Sequence, residues 1–330
     1  MFNYRQFPDE SKNNDNKNNK DGIMMTKIVH NNNEVNDENE LRGQTVRLLD
    51  VYKFRQEYGY CSILFSVVQT IILFVMMIQC SVAPLRINPM VGPYPDALNY
   101  WGAKNAALIL GEDTNEYWRL LSPILLHAGI LHLVGNVSVQ IELGIFFEKE
   151  WGSWSWLVIY LLSGIGSLIL STTLKPDTIS VGSSGAVMGL LGAKLSEILC
   201  RCCEPRITVQ QKVGAAVRKE LFCGMVTSIT IVMAFSFIPF VDWAAHLGGL
   251  ITGMLIGLIL FAMTYMKSIV CRILWTFIGS IILTILFVVT LIYMYNDVQI
   301  NNEEGLLDIC AYYQQFFEDY QCHCEFNNSD

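Results

Sequence analysis

Two adjacent hydroxyls open an apolar, glycine-rich stretch of the chain, VGSSGAVMGLLGA, which covers residues 181–193. Serine is favoured at a helix N-cap, where it contributes about 1 kcal/mol. A serine hydroxyl also becomes a nucleophile when a neighbouring histidine accepts its proton. We expect Ser183 to be the helix cap, and from this stretch alone the role of Ser184 as a nucleophile stays open. The histidine that would activate this serine is His246, in the stretch AHLGGLITG.

A second group of polar residues stands in the stretch HAGILHLVGN, which contains His127, His132 and Asn136. His132, Asn136 and Gln140 are spaced i, i+4, i+8, so they would share one face of a helix. Polar groups inside an apolar helix usually point into a bundle interior or a water-filled cavity. The spacing therefore predicts a polar surface on this helix.

The elements that would position these residues are apolar helices long enough to cross a membrane. Of the 330 residues, 52% are apolar and 16% are charged, and the mean hydropathy is +0.36. A soluble chain usually carries about 25% charged residues, whereas a membrane helix needs about 20 consecutive apolar residues. We predict an all-α polytopic helical bundle with seven transmembrane helices, at about residues 62–80, 131 onward, 156–172, 183–200, 221–240, 243–266 and 273–295.

Basic residues set the expected orientation. Lys and Arg cluster before the first span, between the fourth and fifth, and between the sixth and seventh, whereas none follows Arg272. The positive-inside rule places these clusters in the cytosol. We therefore expect a multi-pass protein of the secretory pathway or plasma membrane, with a cytosolic N-terminus and a luminal or extracellular C-terminus.

In this topology the second, fourth and sixth spans run in parallel and place their polar residues at a similar depth. Glycines four residues apart let helix backbones approach closely. They occur as Gly185 and Gly189 on the fourth span and as Gly249, Gly253 and Gly257 on the sixth. If these two glycine faces meet, Ser184 comes within hydrogen-bond reach of His246, as an activated serine requires.

Taken in order along the chain, these residues resemble the motifs of the rhomboid family of intramembrane serine proteases. The matching pieces are Trp118-Arg119, HAGILHLVGN, Glu148-Lys149, GSSG and AHLGGLITG. The resemblance covers roughly residues 55–295 and implies a rhomboid-like fold. Six spans followed by a seventh are similar to the secretase-type eukaryotic branch of the family.

The resemblance implies a catalytic dyad. Ser184 would be the nucleophile, and His246 the general base and later the general acid for the leaving amine. The backbone N–H of Ser184 and the side chains of Asn136 and His132 would hold the oxyanion, each such donor being worth about 2.7–4 kcal/mol of transition-state stabilisation. His127 would support the site near the cavity mouth. This chemistry requires no metal and no cofactor.

Five other residues carry expectations. The resemblance implies that Trp118, Arg119 and Glu148 are structural, anchoring the loop after the first span and the end of the second. Met188 stands where many family members have an aromatic residue that stacks on the catalytic histidine. Asp242 precedes that histidine by four residues and is expected to cap the sixth span; a place in a catalytic triad is the alternative.

We expect the protein to cleave single-span membrane proteins in or near their transmembrane helix, within the lipid bilayer. Gly, Ala, Ser or Pro near the luminal end of the substrate span should favour cleavage by making local unwinding easier. The alternative is a rhomboid-like pseudoprotease that binds membrane helices for trafficking or quality control. A transporter would need more intramembrane acidic residues than the sequence has. No nucleic-acid partner is expected.

Four segments are expected along the chain. They are a disordered Asn-rich cytosolic segment at residues 1–55, a six-span catalytic core at 56–266, an additional span at 267–296 and an acidic luminal tail at 297–330. The first segment has too few apolar residues to offset the entropy of ordering. The tail has three cysteines, and because this number is odd, one would stay free or pair elsewhere.

Overall fold

The computed structural model describes residues 54–324 apart from residues 113, 203, 205, 206, 239 and 240. The predicted disordered segment therefore lies almost entirely outside the described residues. Within the described range the backbone is helical, and extended pairing is limited to two isolated β-bridges. The predicted all-α class is confirmed.

Helices stand at all seven predicted spans. They are α1 (Tyr60–Gln79), α4 (Ile130–Trp151), α5 (Ser153–Leu174), α6 (Ser184–Cys200), α7 (Val209–Phe235), α8 (Trp243–Tyr265) and α9 (Ile269–Asn296). Four short α-helices of the described residues lie outside the spans: α2 (Pro95–Tyr100), α3 (Ala106–Leu110), α10 (Glu303–Leu307) and α11 (Ile309–Gln314). Two 3₁₀ turns, Tyr117–Leu120 and Ser122–Leu125, precede α4. In the part of the chain that the structure describes, five helices are long and apolar enough to cross a membrane, namely α1, α4, α5, α8 and α9. The full count of seven crossings stays a prediction.

The bounds of α7 differ most from the prediction, because the helix begins at Val209 and not near residue 221. The cause is a capping box just before it. The hydroxyl of Thr208 accepts from the backbone N–H of Gln211 at 3.2 Å, and the Gln211 side chain accepts from the backbone N–H of Thr208 at 3.1 Å. Such a box satisfies N–H groups that a helix start leaves free, so the helix extends into a polar segment.

The centre of the bundle is α6, whose side chains are buried along most of its length. Along it lies α8, backbone against backbone. A Cβ added at Gly249 would strike the backbone of Gly185, and one at Gly253 would strike that of Gly189. The predicted contact between the two glycine faces is present, and it holds the starts of α6 and α8 side by side.

The other half of α6 is fixed by buried ion pairs. The Lys194 ammonium donates to the carboxylates of Glu150 and Glu197, each at 2.6 Å. Glu197 also accepts from Trp151 Nε1 at 3.0 Å and pairs with Arg201 at 3.0 Å. Moving a charged group from water into the protein interior costs free energy unless the group is paired and hydrogen-bonded there. Every charge of this cluster has a partner, and the cluster ties α6 to the end of α4.

Two of the residues expected to be structural make the contacts that such a role requires. The carboxylate of Glu148 accepts from two backbone N–H groups in the first turn of α1, both at 2.8 Å. It therefore caps α1 from the end of α4. Arg119 is fully buried and donates to the carbonyl oxygen of Asn99 at 2.8 Å. Its guanidinium lies 4.7 Å from the ring centroid of Trp118, which fixes the loop between α1 and α4.

The tail after α9 folds back over the helix ends near Ser184. Cys324 forms a disulfide with Cys80, which follows α1, and Cys310 forms one with Cys322. The third cysteine of the tail thus pairs outside the tail. We call this side of the bundle the cavity end; it contains the ends of α1, α5 and α9 and the starts of α4, α6 and α8.

Candidate active site

The first side chains of α6 and α8 meet at the cavity end. The Oγ atom of Ser184 lies 2.8 Å from Nε2 of His246. Ser184 is the first residue of α6, and His246 lies in the first turn of α8. The serine is half-buried, whereas the histidine is 7% exposed. This distance is a hydrogen bond, the geometry that activates a serine nucleophile.

The other nitrogen of His246 contacts a residue that sequence reasoning missed. Ser236 Oγ lies 2.6 Å from Nδ1 of His246, and the same hydroxyl donates to the carbonyl oxygen of Val232 at 2.6 Å. A hydroxyl has one proton to donate and two lone pairs that accept. With its proton on Val232, the Ser236 oxygen accepts from Nδ1–H. This pattern fits a neutral imidazole whose Nε2 can take the proton of Ser184.

Little in the sequence singles out Ser236. It lies ten residues before His246, but a helix end and a turn separate the two, so no helical spacing relates them. Serine at the end of an apolar helix is also common for reasons unrelated to chemistry. The only available signal was its position at the same predicted membrane depth as the other polar residues.

Asp242 caps α8, as predicted. One carboxylate oxygen accepts from the backbone N–H of Ala245 at 3.0 Å, and the other accepts from the Ser171 hydroxyl at 2.5 Å. Burial alone would raise the pKa of Asp242, but the positive charge of Lys104 and these hydrogen bonds lower it below its usual value. An ionised carboxylate at a helix N-terminus is stabilised by the helix dipole.

The expected capping role of Ser183 is wrong. Ser183 does occupy the residue before α6, but its hydroxyl makes no hydrogen bond to the helix backbone. A capping side chain normally has extended backbone angles, which direct its oxygen toward the N–H groups of the first turn. Ser183 has helical angles, with φ −81° and ψ −2°, and its side chain is fully buried.

The two expected oxyanion donors lie on the same cavity as Ser184 and His246. Asn136 Nδ2 donates to the carbonyl oxygen of His132 at 3.0 Å, which leaves its second N–H for another acceptor. The backbone N–H of Ala128 donates to Nδ1 of His132 at 3.4 Å. A neutral His132 therefore has its proton on Nε2, where it can be donated.

Gln140 departs from the predicted polar face. It does not line the cavity, since its amide donates to the Ser66 hydroxyl at 2.8 Å and its oxygen accepts from the Tyr160 hydroxyl at 2.6 Å. It begins a π-helical turn within α4, Gln140–Gly144. Of the three residues in the i, i+4, i+8 series, His132 and Asn136 line the cavity and Gln140 lies in the bundle core.

His127 lies behind the cavity and does not line it. Its side chain is fully buried, and among the described residues neither ring nitrogen has a hydrogen-bond partner. Its ring stands edge-on against that of His132, with the centroids 5.3 Å apart. Burial, with a smaller effect of His132, lowers the pKa of His127 to about 3. The ring is therefore neutral at pH 7 and supports His132 by packing.

The cavity measures about 530 Å³. Its lining comes from the loop after α1, the starts of α4, α6 and α8, the loop before α6, and the tail. Its polar lining residues include His132, Asn136, Ser184 and His246. Pockets of this size with a few convergent polar groups are the usual form of a binding or active site.

Comparison with known proteins agrees with the sequence motifs and the fold. Residues 114–263 match the model of the Rhomboid domain. This part of the chain is a rhomboid domain. The matched range includes the two expected oxyanion donors, Ser184, Ser236 and His246, so the whole constellation described above lies within the rhomboid domain.

Three relatives show the range of the rhomboid family. RHOMBOID-like protein 6, mitochondrial, of Arabidopsis thaliana is 39% identical over 183 residues, 54% of this chain and 55% of that protein. Rhomboid protease GluP of Bacillus subtilis is 36% identical over 159 residues, 48% of this chain and 28% of that protein. Inactive RHOMBOID-like protein 8 of Arabidopsis thaliana is 31% identical over 168 residues, 51% of this chain and 44% of that protein. The chain thus spans about half the length, or less, of these relatives.

Proposed function

We propose that this protein is an intramembrane serine endopeptidase in which Ser184 is the nucleophile and His246 the general base. The observation that carries the proposal is the 2.8 Å hydrogen bond between Ser184 Oγ and His246 Nε2 on the cavity wall. The rhomboid domain supports protease activity in general, and one relative is named a rhomboid protease.

The proposed reaction uses the side chains in a fixed order. Nε2 of His246 takes the proton of Ser184 while Oγ attacks the substrate carbonyl carbon. The oxyanion accepts from the backbone N–H of Ser184, Nδ2 of Asn136 and Nε2–H of His132. The imidazolium then gives its proton to the leaving amine, and a water molecule hydrolyses the acyl-enzyme by the reverse proton route. Ser236 is a positioning residue, because its oxygen accepts a hydrogen bond from Nδ1–H of His246 throughout the reaction.

The substrates are membrane proteins, and we propose that they have a single span. A helix must unwind before its carbonyl carbon can reach Ser184, so helix-weakening residues near the cavity end of the substrate span favour cleavage. The cavity end is proposed to be luminal or extracellular, and the N-terminus cytosolic. The disulfide between Cys80 and Cys324 supports this orientation, because disulfides persist in oxidising compartments. The four segments predicted from the sequence are retained as the proposed domain organisation, with an extra seventh span.

A second function has one observation in its favour. A relative 31% identical to this chain is named an inactive rhomboid-like protein, so the family fold also serves without catalysis. The alternative is a pseudoprotease that binds membrane helices. Ser184 and His246 are both present and hydrogen-bonded here, which favours the protease.

The test is cleavage of a single-span substrate by the purified protein in liposomes. Wild type is compared with Ser184→Ala and with the matched control Ser183→Ala, which removes the neighbouring hydroxyl. We expect Ser184→Ala to reduce cleavage to background and Ser183→Ala to retain it. A serine-reactive fluorophosphonate should label wild type and Ser183→Ala only. Equal cleavage by wild type and Ser184→Ala would reject Ser184 as the nucleophile, and absence of labelling in wild type would favour the pseudoprotease.

A further inference from the structure

The described part of the C-terminal tail, residues 297–324, is fastened to the cavity end at both of its ends. At its far end, Cys324 is bonded to Cys80, and the carboxylate of Asp96 accepts from the backbone N–H groups of His323 and Cys324 at 3.0 and 2.9 Å. Asp96 also accepts from the hydroxyl of Tyr320 at 2.5 Å. These bonds connect the tail to the loop between α1 and α4, so the tail is part of the fold.

At its near end the tail is held by the loop that leads into α6. The carboxylate of Asp177 accepts from the backbone N–H and side chain of Asn301, at 2.6 and 2.8 Å, and from the backbone N–H of Asn302 at 3.1 Å. Asn105 Nδ2 donates to the carbonyl oxygen of Leu306 at 2.7 Å. The tail is therefore held at its start and at Leu306 as well as at its far end.

This middle part forms one wall of the cavity that contains Ser184 and His246. The tail residues that line it are Asn302, Gly305, Leu306, Ile309, Tyr312 and Tyr313. Four of the six are aliphatic or aromatic. An apolar wall favours an apolar side chain through burial.

We propose that the tail is a specificity-determining wall that receives an apolar or aromatic side chain from the substrate, on the part of the substrate that emerges at the cavity end beside the scissile bond. This inference rests on the proposed protease function. The occupant follows from continuity, because a peptide with its carbonyl carbon at Ser184 shares the cavity with the tail. The role of the seventh span, α9, would then be to bring the tail to the cavity end.

Of the residues that form the wall, Tyr312 is the one that can be substituted without removing a contact that attaches the tail to the rest of the protein. Leu306 and Ile309 are buried in a cluster with Ala107, and Tyr313 stacks on Tyr320 with ring centroids 5.4 Å apart. Tyr312 is half-buried, and its ring packs against the rings of Tyr313 and Phe316, both of the tail.

The test measures substrate preference with the full-length protein in liposomes. Single-span substrates carry Leu, Phe, Ala or Asp at one position at a time on the cavity-end side of the scissile bond, and kcat/KM is measured for each. In wild type we expect Leu and Phe to be preferred over Ala at one position by about tenfold, the usual discrimination of an apolar pocket. Tyr312→Ala should abolish this preference, and Tyr312→Phe, which keeps the ring, should retain it.

The matched control is Leu307→Ala, since Leu307 belongs to the same tail but is 49% exposed and does not line the cavity. It should leave the preference unchanged. A second variant, Cys80→Ser with Cys324→Ser, removes the disulfide at the far end of the tail, loosens that end and should also lower the preference. Mass spectrometry of alkylated protein verifies that both disulfides remain in the tyrosine variants.

The outcomes separate this inference from the proposed function. If wild-type preference persists in both Tyr312→Ala and the double cysteine variant while Ser184→Ala is inactive, the wall is rejected and the protease stands. If wild type shows no preference for apolar side chains at any position, the wall is also rejected. If cleavage does not depend on Ser184, the protease and the wall are rejected together.

Discussion

The cavity is bordered by two regions that are held in place by different forces. Between α6 and α8, glycines bring backbone against backbone, as at Gly189 and Gly253, and the contact depends on the absence of side chains. The tail is held by one disulfide, between Cys80 and Cys324, and by two carboxylates, Asp96 and Asp177, that accept from its N–H groups. The first region is sensitive to added volume, and the second to changes in charge and in thiols. The difference suits their proposed roles, because a nucleophile and its base need a fixed distance, whereas a wall that selects substrates can vary in sequence.

The largest effect is expected from breaking the first region. Gly253→Ala places a methyl group against the backbone of Gly189, and overpacking costs about 1–3 kcal/mol. We expect a lower thermal-unfolding midpoint and a loss of most activity, because the separation of Ser184 and His246 increases. Thermal aggregation in detergent and cleavage in liposomes measure the two effects.

The control for that variant is Gly135→Ala in α4, where an added methyl group would meet open space. It should keep the wild-type midpoint, since alanine is a better helix former than glycine. Equal midpoints for the two variants would show that the close approach of α6 and α8 contributes little to stability.

A smaller effect is expected in the first region when the hydrogen bond between Ser236 and His246 is removed. Ser236→Ala deletes the acceptor of the Nδ1 proton of His246. A net hydrogen bond is worth about 0.5–1.5 kcal/mol, so kcat should fall about tenfold, with KM unchanged because Ser236 does not line the cavity. Steady-state kinetics in liposomes provides both constants.

Rescue distinguishes positioning from packing. Ser236→Thr restores the hydroxyl and should recover most of kcat, whereas Ser236→Cys, of similar size but a weaker acceptor, should not. A fall in KM and kcat together, with no recovery by threonine, would assign Ser236 a structural role only.

The smallest effect is expected on the attachment of the tail, when Asp177 is protonated at low pH. Burial alone would raise the pKa of Asp177, but hydrogen bonds from Asn301 and Asn302 lower it below its ordinary value of 3.8. A depressed pKa means that these bonds stabilise the attached tail fully above that value and are lost as the pH falls below it. Pepsin should therefore cleave residues 297–324 more readily as the pH falls through this range.

The comparison for this prediction is Asp177→Asn, which has no charge to titrate. The ratio of tail cleavage in wild type to that in the variant cancels the pH dependence of pepsin itself. We expect this ratio to rise as the pH falls, while α6 and α8 stay intact. A constant ratio between pH 5 and pH 2 would contradict a role of the Asp177 charge in tail attachment.

The sequence by itself determined most of the long helices and the pairing of Ser184 with His246. Long apolar runs located α1, α5 and α8 to within a few residues, because burial in a bilayer requires contiguous apolar residues that are visible in one dimension. The glycine spacing predicted which faces of α6 and α8 meet, and that contact brings Ser184 to 2.8 Å from His246. Local periodicity carries this information because both faces repeat with the helix.

Only the tertiary structure decided what depends on residues that are distant in sequence or on backbone angles. The partner of Cys324 is 244 residues away, and no local pattern relates the two. Ser183 has the residue type of a helix cap but helical backbone angles, so the predicted cap is absent. Ser236 meets His246 across a helix end. The tail is held at the cavity by one disulfide and by single hydrogen bonds. Such contacts do not repeat along the chain and therefore leave no periodic trace in it.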